Sequence, residues 1–127
     1  METLINRVND ILLEDGYRPS MNNAKTLIAF KVEGEQIDIY FEQNDSNYIK
    51  ILSLYNIDSN MREKTLNIAN QVNVMYKFIC IKVYETSFAF CCDSYVDVNM
   101  NIKAMLQRYI GILLAAMREF KKIYFST

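Results

Sequence analysis

The chain has 127 residues, of which 51% are hydrophobic and 23% are charged, and its formal net charge at pH 7 is −1. This composition is typical of a globular protein, and the length predicts a single domain over residues 1–127 with one hydrophobic core. The near-neutral charge without a basic stripe argues against nucleic acid as a partner. The sequence has no histidine, the commonest general base and metal ligand, so we expect no enzyme activity, no catalytic residues, no metal and no cofactor.

The cysteines and the lengths of the apolar runs indicate the cellular compartment in which the protein is expected. Cys80, Cys91 and Cys92 are odd in number and fall in predicted strands, which fits a reducing cytosol better than an oxidising compartment. The longest uncharged apolar run, Tyr109–Met117, is far shorter than the ~20 residues that span a bilayer, and the N-terminus lacks a signal-peptide pattern. We therefore expect a cytoplasmic protein without membrane contact.

The first predicted element is a helix over about Thr3–Glu14, because its apolar residues recur every three or four positions. Gly16 stands where a helix end usually requires a positive φ, and Pro19 opposes continuation. The polar residues 20–25 then predict a connector.

The next segments change to a period of two, which predicts an antiparallel hairpin. Ile28–Val32 and Ile37–Phe41 alternate apolar and polar residues and are separated by a short loop containing Gly34. We expect Val32 to lie opposite Ile37, a register that places all the large apolar residues on one face.

The middle of the chain predicts a third strand and a second helix. The strand, Tyr48–Tyr55, becomes apolar on both faces toward its end, and such strands are usually covered on both sides. The helix is expected to start from a cap at Asp58 or Ser59 and to end near Asn73.

The last part of the chain predicts two strands, Phe78–Glu85 and Ser87–Asp93, and a long helix over Asn101–Tyr124 capped by Asp97 or Asn99. Apolar residues at steps of three and four give this helix one broad face for packing on a sheet. The order α-β-β-β-α-β-β-α, with short connections between strands, predicts an α+β fold with a mostly antiparallel five-stranded sheet.

If one sheet face packs against helices, the opposite face is too apolar to remain bare. Either the middle helix covers part of it, or it binds a partner protein or a second copy, a role that suits tyrosine. The hypothetical partner-binding residues are Leu27, Tyr40, Leu52, Leu54, Leu66, Val72 and Tyr84.

Adjacent strand residues point to opposite faces, so only one of Cys91 and Cys92 is expected in the core. Cys80 is predicted to lie across the hairpin from one of them. Burial as small hydrophobic side chains is the preferred interpretation, and a disulfide or a shared metal is the alternative.

In its order of elements the chain resembles the YbjN family, and the layout is similar to class I type III secretion chaperones. The resemblance covers about Thr3–Phe125 and rests on that order, on the strands Ile37–Phe41 and Phe88–Cys92, and on size and acidity. It implies a small, often dimeric, non-enzymatic protein. YbjN-like proteins are regarded as sensory transduction regulators, and the chaperones hold an extended effector segment on apolar surfaces.

Together these observations favour a non-catalytic protein-binding module, regulatory or chaperone-like, that binds a partner protein or itself as a homodimer. The alternative is a small-molecule sensor or enzyme with a cryptic pocket under the C-terminal helix, with Tyr109, Cys92 or Asp93 at its mouth.

Overall fold

The computed structural model describes residues 3–42, 47–97 and 99–126. Within them the helices are Leu4–Glu14 (α1), Arg62–Met75 (α2), preceded by a 3₁₀ turn at Ser59–Met61, and Ile102–Ser126 (α3). The strands are Ser20–Met21 (β1), Leu27–Val32 (β2), Glu35–Phe41 (β3), Tyr48–Asn56 (β4), Cys80–Val83 (β5) and Ser87–Tyr95 (β6). They form one antiparallel sheet in the order β1-β2-β3-β4-β6-β5. The α+β class is thus confirmed.

The sheet has six strands in the described residues instead of the expected five. The additional strand, β1, lies in the segment that was predicted to be a connector, and it pairs Ser20 with Ala29 and Met21 with Ile28. Two residues are too few to show a period of two, so the sequence pattern could not reveal this strand. The side-chain oxygen of Asn22 accepts hydrogen bonds from the backbone amides of Thr26 and Leu27 and closes the turn into β2.

The register of the first hairpin differs from the expectation by two residues. Val32 pairs with Glu35 and Phe30 pairs with Ile37, so the predicted pairing of Val32 with Ile37 is wrong. The loop contains only Glu33 and Gly34, both at positive φ (53° and 81°), as the tightest hairpin turns require. A shift of two residues leaves every side chain on its predicted face, because strand side chains alternate with a period of two.

The helix ends follow local capping rules. At the end of α1, Gly16 has a φ of 91° and donates to the carbonyl of Leu13, while Tyr17 donates to the carbonyl of Leu12. This is the paired arrangement expected around a C-terminal glycine. At the start of α3 the cap is Asn101, whose side chain accepts from the amide of Ala104 at 3.1 Å. The predicted caps Asp97 and Asn99 precede this position.

The chain folds as two compact units. Unit 1 comprises Met1–Ser53 with Asp93–Gln107, and unit 2 comprises Leu54–Cys92 with Arg108–Thr127. The single domain inferred from length remains a prediction. No helix in the described ranges has an apolar stretch long enough to cross a membrane.

In unit 1, α1, one face of the strands and the first residues of α3 bury their apolar side chains. The buried side chains are Ile5, Val8, Leu12, Ile28, Phe30, Val32, Ile37, Ile39, Ile49, Ile51, Ser53, Val96, Ile102, Met105 and Leu106. The two helices are also joined at the surface, where the Lys103 Nζ lies 3.3 Å from a carboxylate oxygen of Asp15. This hydrogen bond is the main reason that the pKa of Lys103 is raised.

In unit 2, aromatic side chains form much of the core. The Phe120 ring of α3 lies 5.0 Å from that of Phe88 and 5.5 Å from that of Phe90, measured between centroids. Helix α2 packs against β5, with Thr65, Ile68, Ala69 and Val72 buried. The side chain of Asn73 forms two hydrogen bonds with the backbone of Ile81 and ties the helix to this strand.

Candidate functional site

In unit 1, the sheet face opposite the buried strand residues carries a group of large side chains. We call this group the tyrosine face and define it as Leu27, Tyr40, Tyr48, Leu52 and Tyr95. These residues alternate along their strands with the buried residues of the core, for example Ile39 and Ile49. The alternation places them together on the opposite side of the pleat.

Strand pairing brings the tyrosine face together. Leu27 lies directly opposite Tyr40, which lies opposite Lys50 on the next strand. The rings of Tyr48 and Tyr95 meet edge to face with centroids 5.1 Å apart. Tyr40 remains 43% exposed and Tyr95 66% exposed, so the tyrosine face offers aromatic area to a partner.

The ring of Tyr48 is held by a hydrogen bond from its hydroxyl to a carboxylate oxygen of Asp93. This bond, together with the negative charge of Asp93, raises the pKa of Tyr48 to about 12. A group with so high a pKa is poorly matched to proton transfer near neutral pH. The hydrogen bond fixes the Tyr48 hydroxyl beside Asp93.

The tyrosine face is flanked by charges of both signs. Asp38 lies opposite Leu52 and accepts a hydrogen bond of 3.1 Å from the Gln36 side chain. Lys50 lies opposite Tyr40. Each charge thus stands beside an apolar or aromatic member of the face.

Unit 2 has an apolar sheet surface of its own. Leu54 of β4 is 55% exposed, Tyr84 after β5 is 49% exposed, and Cys80 and Lys82 of β5 are exposed as well. Because α2 packs on β5 and Lys64 of α2 approaches Tyr124 of α3, the described part of the middle helix leaves these side chains uncovered.

The two predicted partner-binding residues of α2 differ in accessibility. Leu66 is half-buried, whereas Val72 is 0% exposed and belongs to the core of unit 2. Val72 therefore has no surface to offer a partner in this structure. A stripe read at helical spacing identifies a face for packing but does not reveal whether the same chain already covers it.

The cysteines are separated by the pleat of β6. Cys80 pairs directly with Cys91, and of the two only Cys80 is exposed. Cys91 and Cys92 are both buried, so the expectation that only one of them lies in the core is wrong. Cys92 alternates onto the face of Phe88 and Phe90, and Cys91 onto the opposite face. The described residues contain no group of three or more cysteine or carboxylate side chains that could hold a metal ion.

Unit 2 also contains an open cleft of about 230 Å³ beside the last turns of α3. Its walls are formed by the end of β4, by β6 and by α3. We call it the aromatic cleft and define it by its lining residues, which are Tyr55, Asn56, Ile57, Phe88, Phe90, Phe120, Lys121, Tyr124 and Phe125.

The aromatic cleft differs from the predicted pocket in its location. Cys92 is buried, Tyr109 packs its ring against Phe78, and Asp93 binds Tyr48, so none of the three predicted mouth residues lines the cleft. Two lysines adjoin the aromatic walls instead. The Nζ of Lys121 lies 5.9 Å from the Tyr55 ring centroid, and the Nζ of Lys64 lies 4.2 Å from that of Tyr124.

Comparison with protein-family models gives no match, and no curated protein matches the sequence. Among solved structures, the chain is similar to an uncharacterised protein from Methanothermobacter thermautotrophicus, at 14% identity and a TM-score of 0.72, over 94% of this chain and 95% of that chain. It is also similar to YbjN of E. coli, a proposed transcription regulator, at 7% identity and a TM-score of 0.64, over 98% of this chain and 93% of that chain. At these identities the likeness concerns the fold, and the predicted YbjN-like fold is confirmed.

Proposed function

We propose that the chain is a non-catalytic protein-binding module with a regulatory role, and that it binds a second copy of itself through the tyrosine face. The observation that carries this proposal is the exposure of Tyr40 and Tyr95 beside half-buried Leu27 and Leu52. Tyrosine combines a large apolar ring with a polar tip, and it is enriched where proteins meet.

The charges around the tyrosine face favour a second copy as the occupant. In a two-fold symmetric dimer the same patch meets itself, so a favourable contact needs complementary charges within one patch. Lys50 and Asp38 supply both signs next to Tyr40 and Leu52. A formal net charge of −1 also leaves little long-range repulsion between two copies.

The regulatory part of the proposal comes from the fold. YbjN, which shares the fold, is itself a proposed transcription regulator. For this chain we propose regulation through protein contact, because no basic stripe is present to bind nucleic acid. A chaperone-like module would use the same face to hold a segment of another protein.

Sedimentation equilibrium tests self-association directly. We expect a mass of twice the 14.9 kDa of one chain at micromolar concentrations. Tyr40→Glu and Tyr95→Glu should each return the protein to the monomer, because symmetry places two new carboxylates in one interface. Juxtaposed like charges cost several kcal/mol, and ~3 kcal/mol corresponds to roughly a hundredfold weaker dimer.

The matched control is Tyr84→Glu, which changes a tyrosine of similar exposure in unit 2. It should leave the dimer intact. Circular dichroism confirms that each variant keeps its fold, as expected for exposed positions. A monomeric parent protein at about 100 μM would refute the second copy as occupant. A dimer that only Tyr84→Glu disrupts would refute the tyrosine face as its interface.

A further inference from the structure

The aromatic cleft of unit 2 has the chemistry of a small ligand site. Six of its nine described lining residues are aromatic, namely Tyr55, Phe88, Phe90, Phe120, Tyr124 and Phe125. Phe88, Phe90 and Phe120 are buried and hold one another through ring contacts. The floor of the cleft is therefore built by the core and exists before a ligand arrives.

The volume of the cleft limits the size of the ligand. A cavity of about 150 Å³ accommodates benzene, and sites for drug-sized molecules begin at about 300 Å³. At about 230 Å³, the cleft has room for one aromatic ring with a short substituent. Aromatic walls favour such a ring, because they can contact it by offset stacking and edge to face.

The charges at the cleft determine which substituent fits. Lys121 is the one charged residue among the described lining residues. The C-terminal end of α3 contributes a partial negative charge through the helix dipole, but this amounts to only about half an elementary charge. Lys121 carries a full positive charge among the lining residues, so the cleft should favour an anion.

The geometry points to the aromatic cleft as a binding site for a single-ring aromatic carboxylate. The ring lies among the Phe88, Phe120 and Tyr124 side chains, and the carboxylate faces the ammonium group of Lys121. This site lies within unit 2 and does not depend on self-association through the tyrosine face.

The test is an NMR titration of the isotope-labelled protein with 3-phenylpropionate. We expect saturable shifts of the resonances of Phe125, Tyr124 and Lys121, with a Kd of about 0.1–5 mM for a ligand of about eleven heavy atoms. Butyrate, which lacks the ring, and 3-phenylpropanol, which lacks the charge, should each bind more weakly. 3-Phenylpropylamine, with the opposite charge, should bind most weakly of the ring compounds.

Two variants separate the charge from the aromatic wall. Lys121→Met should weaken 3-phenylpropionate binding about three- to fivefold, as expected for an exposed ion pair, and should leave 3-phenylpropanol binding unchanged. Lys122→Met is the matched control, because Lys122 is the exposed neighbour of Lys121 and does not line the cleft. Phe125→Ala removes an exposed wall residue without opening the core and should weaken all ring compounds.

Three outcomes would overturn the proposal. The first is an absence of shifts at about 10 mM ligand, twice the upper end of the expected Kd range. The second is equal affinity for 3-phenylpropanol and 3-phenylpropionate, which would remove the role of Lys121. The third is a set of shifts outside the aromatic cleft that Phe125→Ala does not alter. The oligomeric mass is measured separately, so failure of this site does not affect the test of the tyrosine face.

Discussion

The free edge of β5 is protected by one asparagine of α2, and removing that side chain tests how the edge is stabilised. β5 ends the sheet order, so one side of its backbone has no neighbouring strand among the described residues. At Ile81 this side is occupied by Asn73, whose Oδ1 accepts from the amide at 2.7 Å and whose Nδ2 donates to the carbonyl at 3.2 Å. The amide side chain thus replaces a strand residue.

The size of the effect of Asn73→Ala follows from these two bonds. Each hydrogen bond contributes about 0.5–1.5 kcal/mol net, and a buried group left without a partner costs about 1–3 kcal/mol. Ile81 is buried, but water can reach an edge strand and satisfy part of the loss. Alanine also has the higher helix propensity, by up to about 0.7 kcal/mol. We expect a net loss of about 2 kcal/mol, or about 1 M in the urea midpoint for an m value near 2 kcal/mol/M.

The assay is urea unfolding followed by circular dichroism, with amide hydrogen exchange at Ile81 as the local measurement. Asn70→Ala is the control, because Asn70 is an exposed residue of the same helix and reports the propensity change alone. The reasoning is refuted if the two variants differ by less than about 0.5 kcal/mol, the usual range of surface substitutions. Unchanged exchange at Ile81 in Asn73→Ala would refute it as well.

Two other predictions concern single polar groups. In an ultraviolet titration of the nine tyrosines, Tyr48 should ionise near pH 12 instead of its usual 10, and Asp93→Asn should move it back toward 10. Because the pKa of Tyr48 is raised in the folded state, the contribution of its hydrogen bond with Asp93 to stability is complete below pH 10 and is lost as the pH rises through 12. An unshifted titration of Tyr48 in the parent protein would contradict this prediction. Thr65→Val should raise the free energy of unfolding by about 1 kcal/mol, since the Thr65 Oγ1 is buried without a hydrogen-bond partner in the described structure. Thermal unfolding tests this prediction. A lower melting temperature in the variant would show that the hydroxyl forms a hydrogen bond in the folded protein.

The strand faces could be predicted from the sequence, whereas the strand register could not. Alternation in β2 and β3 assigns every side chain to a face, and a shift of two residues preserves that assignment. The register depends on whether the loop has two or four residues. Glu33 and Gly34 supply a two-residue turn only because Glu33 adopts a φ of 53°, a conformation that is uncommon for residues other than glycine.

The members of the candidate sites were predictable to different degrees. Leu27, Tyr40 and Leu52 followed from alternation alone. Tyr95 lies beyond the predicted end of the last strand at Asp93, although it continues the alternation of β6 two residues after Asp93. Phe125 was not recognised as a wall of the aromatic cleft, because helical spacing does not reveal where a helix ends relative to its neighbouring strands.

The middle helix, α2, shows why hydrophobic periodicity did not predict the remaining features of the fold. Periodicity identifies a helix by its apolar stripe, but α2 buries Thr65 in that stripe and leaves Val74 and Met75 exposed. Its attachment to β5 includes the two hydrogen bonds between the Asn73 side chain and the backbone of Ile81. Asparagine is common on exposed helix faces and carries no periodic signal. Hydrophobic patterning therefore does not detect a polar side chain that protects a strand edge. Such a side chain nevertheless influences whether that edge can pair with a strand of another chain. This is why the sequence could predict an apolar second sheet face but could not determine whether α2 covers it.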